Sequence, residues 1–532
     1  MTTAWQDVNA IYQIYPRSFK DTNSDGVGDL RGIIEQLDYL KSQPDSLGVD
    51  AIWLSPIFTS PQVDCGYDVS DYRDIDTLFG GMAMCEELID QAHARGIKVM
   101  FDFVPNHSSD QHPWFIESAS SRDNPKRDYY VWRDAKPDGS PPNNWLSMSG
   151  GSVWQWHEPT GQYYLHSFLA SQPDLNWDNP KVQQEMCDVL RFWFDKGVDG
   201  FRVDAIWPLS KNFAAGDNPR NPDYYAGECD YGSYVHQHSK GGPNLHEYLR
   251  RMSDVAAEYD DRFLVFEFYP DDRLGDRFAQ YTGIQHVAPC CVSSTFYFEG
   301  FQTEWWARKF QEKFDAFGQW HDRLPVAALG NHDQTRIASK FGMAQAKALA
   351  VMQLTLPGVP AIYYGEELGM LDVEIAPEDA HDRFNGGAGL DARDKYRTPM
   401  RWDASEYAGF SVVKPWLPIG EYREWMNVAS QLDTPHSFLR LYQKLLRLRA
   451  DEPALRYGEY FTWRETSDEI MTFGRTHDGS TFFTAVNFTD RQVELAIPQP
   501  GRVLASTNTS DEYDIDTHIV LQPFEAIVIK AV

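Results

Sequence analysis

Apolar and polar positions follow two rhythms along this chain of 532 residues. Compact apolar, β-rich runs occur at 10–15, 49–55, 97–104, 200–203, 263–266, 292–298, 326–329 and 361–364. Between them, segments 32–41, 82–94, 182–195, 245–258, 302–317 and 344–352 repeat apolar residues at helical spacing. Short strands alternating with amphipathic helices predict βαβ units around a parallel sheet. Eight such strands within ordinary barrel length fit a closed (β/α)8 barrel better than an open sheet.

Two stretches depart from that rhythm. Residues 107–180, rich in Trp, Tyr, Pro, Asn and Gly, far exceed an ordinary βα loop and predict a small subdomain over the barrel mouth. After a last helix near 437–449, short alternating runs at 469–475, 480–488, 492–496, 518–521 and 526–529 are punctuated by Asp-Gly and Pro-Gly. That pattern predicts an antiparallel β domain. The expected α/β architecture is a barrel over 1–104 and 180–455, an inserted B subdomain over 105–179 after strand 3, and a C-terminal β domain over 456–532.

Composition narrows the partners. Lys and Arg number 48 against 78 Asp and Glu, a formal net charge of −30, which repels phosphate backbones and anionic lipid. Nucleic acid and membrane partners are therefore not expected. The N-terminal residues show no basic and apolar leader pattern, and no run of about 18 apolar residues occurs. The six cysteines include the adjacent pair Cys290 and Cys291 but no CxxC spacing, which suits reduced thiols in a cytoplasm.

Chemistry enters at the ends of the apolar runs. Asp64-Cys-Gly-Tyr-Asp68, Asp102-Phe-Val-Pro-Asn-His107, Gly200-Phe-Arg-Val-Asp-Ala205, Phe266-Glu-Phe268 and Gly330-Asn-His-Asp333 each place polar side chains there. In a (β/α)8 barrel such positions converge at the C-terminal mouth. Arg202 and Asp204 are two apart, so strand geometry puts them on one face, where the guanidinium would keep Asp204 ionised. Taken singly, an Arg-x-Asp is an ion pair and a His after Pro-Asn a turn residue; the combination is what points to a site. Between Asp21 and Asp29, oxygen-bearing side chains alternate around glycines, the donor type that hard divalent cations take. An EF-hand is excluded because Gly32 stands at the twelfth position and no paired helix precedes Asp21. An unmetallated Asx-turn loop is the alternative.

With Tyr12-Gln-Ile-Tyr-Pro-Arg-Ser-Phe19 at one end and Arg397-Thr-Pro-Met-Arg-Trp-Asp403 at the other, these motifs occur in order over essentially the whole chain. The chain thereby resembles the family 13 glycoside hydrolases of the α-glucosidase and oligo-1,6-glucosidase branch. That resemblance implies a barrel, an inserted B domain and a C-terminal β-sandwich. It implies Asp204 as nucleophile of a β-glucosyl-enzyme, Glu267 as the acid that protonates the leaving oxygen, and Asp333 as a third carboxylate on the sugar hydroxyls. His107 and His332 would recognise the nonreducing glucose, Asp64, Tyr67 and Arg397 would grip it, and Phe168 would stack beside it. Where the family commonly has glycine before the acid, this chain has Phe266, which with Phe268 and Tyr269 is expected to desolvate Glu267. Valine after the nucleophile accompanies α-1,6 cleavage in this branch, so Ala205 implies α-1,4 preference. The Asp21 loop matches the family's metal site, with Asp21, Asn23, Asp25 and Asp29 as side-chain ligands and Val27 offering its carbonyl to one structural Ca2+ or Mg2+.

The expected activity is exo-acting hydrolysis of short α-glucosides by a monomer or homodimer without organic cofactor. A transferase or isomerase with the same machinery, an oligo-1,6-glucosidase, and an inactive transporter subunit are the alternatives; the complete carboxylate set argues against the last. Trp114, Trp145, Trp154 and Trp156 are read as core residues rather than sugar platforms.

Overall fold

The computed structural model describes residues 4–225, 230–267, 292–297, 303–318, 325–382, 392–464 and 467–532. Eight parallel strands close on themselves: β1 (Ile11–Ile14), β2 (Ala51–Leu54), β3 (Lys98–Phe103), β4 (Gly200–Val203), β5 (Phe263–Phe266), β6 (Val292–Tyr297), β7 (Val326–Ala328) and β8 (Val359–Tyr363). Each pairs with its successor, and β8 pairs back onto β1 with Ala361 opposite Ile11. Gly200 opens β4 because a Cβ there would lie 2.6 Å from the Phe263 carbonyl oxygen.

Period-two alternation sorts every strand into two layers. Ile11, Ala51, Trp53, Met100, Phe263, Val265, Phe296, Val326 and Ala361 fill the lumen as one apolar cluster. Tyr12, Ile52, Phe101, Phe201, Val203, Leu264 and Phe266 face outward into the cluster shared with the helices. The N-terminal end is plugged by Trp5, whose ring stacks on Phe263 at 4.8 Å and whose indole N–H donates to the Asp199 carbonyl at 3.1 Å.

The inserted subdomain carries a sheet of Trp132–Arg133, Gln162–Leu165 and Trp154–His157, around a core of Val131, Trp145, Val153, Trp154 and Leu165. Trp145 and Trp154 are thus core residues as expected, Trp114 is partly buried against the main core, and Trp156 is exposed. The C-terminal unit has a six-stranded antiparallel sheet facing the pair Val493–Ala496 and His518–Leu521. Between them lie Ile470, Phe483, Leu495, Val503, Leu521 and Ile527, the interior of a sandwich.

Several boundaries differ from the sequence expectation. The helix expected over 32–41 is two, Leu30–Glu35 and Leu37–Leu40, because Gln36 leaves helical geometry at φ −104° and ψ 5°. The first is capped by Asp29, which accepts from Gly32 N–H at 2.7 Å. The eighth strand starts two residues early, since Val359 and Pro360 pair with Val326 and Ala327. The helix expected over 302–317 spans Ala307–Gly318. Strands Gly501–Ser506 and Tyr513–Ile515 were not signalled, their alternation being short and interrupted by Gly, Asn and Ser. Cys65, Cys85 and Cys187 are buried free thiols; Cys229, Cys290, Cys291, Phe268 and Tyr269 lie outside the described residues.

Candidate active site

Asp204 and Glu267 hang from the last rungs of β4 and β5. Asp204 N–H donates to the Phe103 carbonyl at 2.8 Å and Glu267 N–H to the Val203 carbonyl at 2.9 Å, extending the ladder one residue past each strand. Asp204 and Glu267 keep the inward parity of Arg202 and Val265. Arg202, 1 % exposed, gathers both: Nη1 donates to Asp204 at 2.5 Å and to Asp102 at 2.6 Å, and Nη2 donates to Glu267 Oε1. Asp102 stands beside Arg202 in the β3–β4 register, a pairing that sequence reasoning did not assign to the site. The other Glu267 oxygen, Oε2, accepts from the N–H of Ala205 at 2.9 Å.

Phe266 corrects one expectation. It packs with Leu264 in the outer cluster, on the face opposite Glu267, so it does not desolvate the acid. The family's glycine-to-phenylalanine departure therefore falls in the helix layer and not in the cavity.

A second group of contacts ties the remaining motifs to this pair. Gln13 Nε2 meets His332 Nδ1 at 2.8 Å, and with the amide donating there the ring proton sits on Nε2, 2.5 Å from the Tyr67 hydroxyl. Tyr67 in turn donates to Asp102 Oδ2 at 3.0 Å, as does Trp53 Nε1 at 3.2 Å. Asp333 takes Arg397 Nη2 at 2.7 Å and Arg393 Nη1 at 3.1 Å, while Arg393 Nη2 reaches Asp64 at 2.5 Å. Gln172 bridges Asp64 and His107 at 3.1 and 3.2 Å, and the Phe168 ring lies 4.9 Å from that of His107. Gly330 begins its motif because a Cβ would sit 2.4 Å from Glu366 Oε1.

Asp64, Tyr67, His107, Phe168, Asp204, Ala205, Glu267 and Asp333 all line one cavity of about 550 Å³ beneath the inserted subdomain. Arg202, His332 and Arg397 do not line it; they stand behind its wall and hold the carboxylates that do. Trp145 adds one edge of the cavity as well as belonging to the subdomain core. Arg393 and Gln172 are contributors that the sequence reading missed. Gln172 lies in a turn and Arg393 opens a 3-10 helix of four residues, Arg393–Tyr396, too short for periodicity to mark a direction; the spacing of Arg393 four residues before Arg397 was the one signal in the sequence.

Burial shapes the charges. It pushes Asp204 well above the usual carboxylate range, opposed by Arg202 and reinforced by Glu267 and Asp102. Asp102 is likewise pushed up to about 6 by burial against the pull of Arg202. Arg202 orients Asp204 as expected but does not by itself offset the burial. Burial also works against the charge of Asp333, but His332 and the guanidiniums of Arg393 and Arg397 outweigh it and hold this carboxyl well below its ordinary value. His332 is driven far below the usual imidazole value by burial, so it acts as a neutral donor and the two arginines are the lasting counter-charges.

The Asp21 loop lies outside the cavity lining. Asp21 accepts from the N–H groups of Asn23, Ser24 and Gly26 and from the Ser411 hydroxyl; Asp29 accepts from Thr22 and Gly32. Asn23 donates to Asp25 at 3.0 Å, and both are exposed. These oxygens are the hard donors that Ca2+ or Mg2+ takes, and the donor chemistry fits such an ion. Among the described residues, however, no three His, Cys, Asp or Glu side chains are gathered around one point, so a cation would draw the loop oxygens from their present N–H partners.

Residues 13–458 match the alpha amylase catalytic domain. An oligo-1,6-glucosidase of Heyndrickxia coagulans is 37% identical over 99% of this chain and 99% of its own, and a probable alpha-glucosidase of Rhizobium meliloti (strain 1021) is 40% identical over 93% and 91%. The crystal structure of an alpha-glucosyl transfer enzyme, XgtA, superposes with a TM-score of 0.89 at 37% identity, covering both chains completely. A barrel with paired carboxylates at its mouth, matched over its length in this way, is a glycoside hydrolase of the α-amylase family. Within that family the chain belongs to the α-glucosidase branch of family 13.

Proposed function

We propose that this protein is an exo-acting, retaining α-glucosidase that removes terminal nonreducing glucose from short α-glucosides, with α-1,4 bonds such as that of maltose preferred. The observation that carries the reading is that Asp204 and Glu267 are held by the two terminal nitrogens of one guanidinium, with Asp333 on the same cavity. One arginine spanning both carboxyls supports the shorter separation, about 5 Å, that direct attack on the sugar requires, over the wider one that leaves room for a water.

Asp204 attacks the anomeric carbon while Glu267 gives its proton to the departing oxygen; Glu267 then deprotonates water, which releases α-glucose from the β-glucosyl-Asp204 ester. Asp333, kept ionised by Arg393 and Arg397, binds hydroxyls of the same sugar. The bridge from Asp64 through Arg393 to Asp333 supports a pocket closed at its inner end, which suits a chain terminus. Likeness to an alpha-glucosyl transfer enzyme favours a second reading, in which a sugar hydroxyl replaces water at the same intermediate. An oligo-1,6-glucosidase remains the alternative on linkage.

Asp21, Asn23, Asp25, Asp29 and the Val27 carbonyl would hold a structural Ca2+ or Mg2+ that braces the first βα loop. Free, buried Cys65, Cys85 and Cys187, with Cys85 pushed by burial up to about 12, support a cytoplasmic setting, in which the protein works as monomer or homodimer. Among the described residues no helix is long and apolar enough to cross a membrane.

The test is a pair of variants. Both Asp204→Asn and Glu267→Gln are expected to abolish turnover of maltose, but only Glu267→Gln still forms a glycosyl-enzyme from an activated aryl glucoside, because a good leaving group needs no proton. Equal trapping of glycosyl-enzyme in both variants, or β-glucose as first product by proton NMR, overturns the reading.

A further inference from the structure

A second cavity, of about 430 Å³, opens between the barrel and the C-terminal domain and shares no lining residue with the catalytic one. Lys347, His436 and Phe438 stand on its barrel side, Asn508 and Phe524 on its C-terminal side, and Trp425, 47% exposed, at its edge. The exposed indole sits on a fixed base. Met426 beside it is fully buried, Asn427 accepts from the Ser430 N–H at 2.8 Å, and the buried Arg401 donates to the Glu421 carbonyl at 2.6 Å. The ring of Tyr422, also 47% exposed, leans on Trp425 with centroids 5.9 Å apart. Rigid aromatic surface of this kind offers contact area at little entropic cost on binding.

The polar groups around the indole narrow the ligand. Gln431, Ser437 and Thr434 are spent on the carbonyls of Leu368, Gln431 and Ser430. The exposed side chains of His436 and Asn508, one on each wall, have no hydrogen-bond partner among the described residues. No carboxylate lines the cavity to take a cation. Its one ammonium, Lys347, donates to the His436 carbonyl at 2.7 Å and lies 5.2 Å over the Phe438 ring, so it is engaged and not offered to an anion. An open ring face flanked by an uncommitted amide and imidazole suits a neutral polyhydroxylated ligand, whose C–H face lies on the indole while its hydroxyls meet the polar groups.

We infer that this cleft is a second carbohydrate site, which holds a stretch of α-glucan away from the catalytic cavity, with Trp425 as its platform and His436 and Asn508 as hydroxyl partners. The choice of α-glucan rests on the α-glucosidase reading above. A pocket for a chain terminus grips a long substrate at its end alone, and a second grip on the same chain raises the local concentration of ends.

Native electrophoresis through gels with and without soluble starch reads the site, in the Asp204→Asn background so that the ligand is not consumed. Asp204→Asn alone is expected to be retarded by starch, and the addition of Trp425→Ala to weaken that retention on the order of 10-fold, as truncation of an aromatic anchor does. Asn508→Ala, at an exposed position with no bond within the protein to lose, is expected to weaken it in the same direction and decides the matter should Trp425→Ala disturb folding. In the active enzyme both substitutions are expected to leave kcat/KM on maltose unchanged, because a disaccharide is too short to be held at both places. No retention of Asp204→Asn, or equal retention with and without the two substitutions, overturns the inference. A Trp425-dependent dimer in size-exclusion chromatography also overturns it, by assigning the face to a second copy of this chain. The two readings fail separately: a wild type that releases no glucose from maltose refutes the α-glucosidase, whereas the gel reads binding whatever the turnover.

Discussion

Tyr67 and His332, 265 residues apart, lie ring over ring with centroids 5.4 Å and planes 5° apart, the hydroxyl touching Nε2. The stack places a neutral imidazole N–H against a phenol oxygen that is itself hydrogen-bonded to Asp102 and, at 3.3 Å, to Arg202. Tyr67 therefore links the Asp333 side of the cavity to the Arg202 side.

Removing that link is the first prediction. Tyr67→Phe keeps the ring stack but deletes the donor to Asp102 and the acceptor for His332. A hydrogen bond to a charged partner is worth about 1.5–3 kcal/mol, so kcat/KM on maltose is expected to fall about 10- to 100-fold. The melting temperature should fall only slightly because ring burial is retained. A variant with wild-type kcat/KM would show that the link has no catalytic consequence.

Burial pushes Glu366 up to about 8, opposed by Arg336 and reinforced by Glu367. The folded protein thus binds this proton more tightly than the unfolded chain. The resulting stability is fully present below the unfolded value near pH 4.5 and declines as pH rises toward 8, at roughly 1.4 kcal/mol per pH unit. Glu366→Gln mimics the protonated form without titrating. Its stability relative to wild type, followed by urea unfolding, is expected to rise steadily between pH 5 and 8. A constant difference across that range would mean that Glu366 does not carry the proton.

For the Asp21 loop, Ca2+ is expected to raise the melting temperature and chelation to lower it, by mass action, with kcat unchanged below the transition. Asp25→Ala should abolish the response, since Asp25 contributes only to the loop itself. A kcat that falls on chelation at constant melting temperature would make the metal catalytic. No thermal response at all would leave the loop held by its own hydrogen bonds.

Linkage preference is tested by the ratio of kcat/KM on maltose to that on isomaltose. Wild type is expected to favour maltose, and Ala205→Val to shift the ratio toward isomaltose by roughly 10- to 200-fold at most, the range open to one or two methyl groups. Faster wild-type cleavage of isomaltose would refute the linkage preference and leave the retaining mechanism standing.

How much was legible beforehand depended on periodicity. The barrel strands were readable because buried parallel strands are continuous apolar runs, and Arg202 with Asp204 because strand parity is fixed by geometry. The same parity turns Phe266 away from Glu267, because neighbours in sequence along a strand face opposite sides. Arg393 was hard to place for another reason: its 3-10 helix of four residues is too short to show a face, and its partner Asp64 lies 329 residues away. Gln36 broke a helix whose apolar spacing was intact, since spacing reports burial and not the local dihedral.

Trp5 plugs the far end of the barrel and the apolar lumen is filled, so among the described residues no path runs from the cavity through the barrel. In the proposed retaining reaction the severed portion of a substrate would have to back out before water, or a carbohydrate, could approach a sugar held on Asp204. In that reaction the balance between hydrolysis and transfer would become a matter of crowding at the cavity mouth, tilting toward transfer as the surrounding syrup thickens.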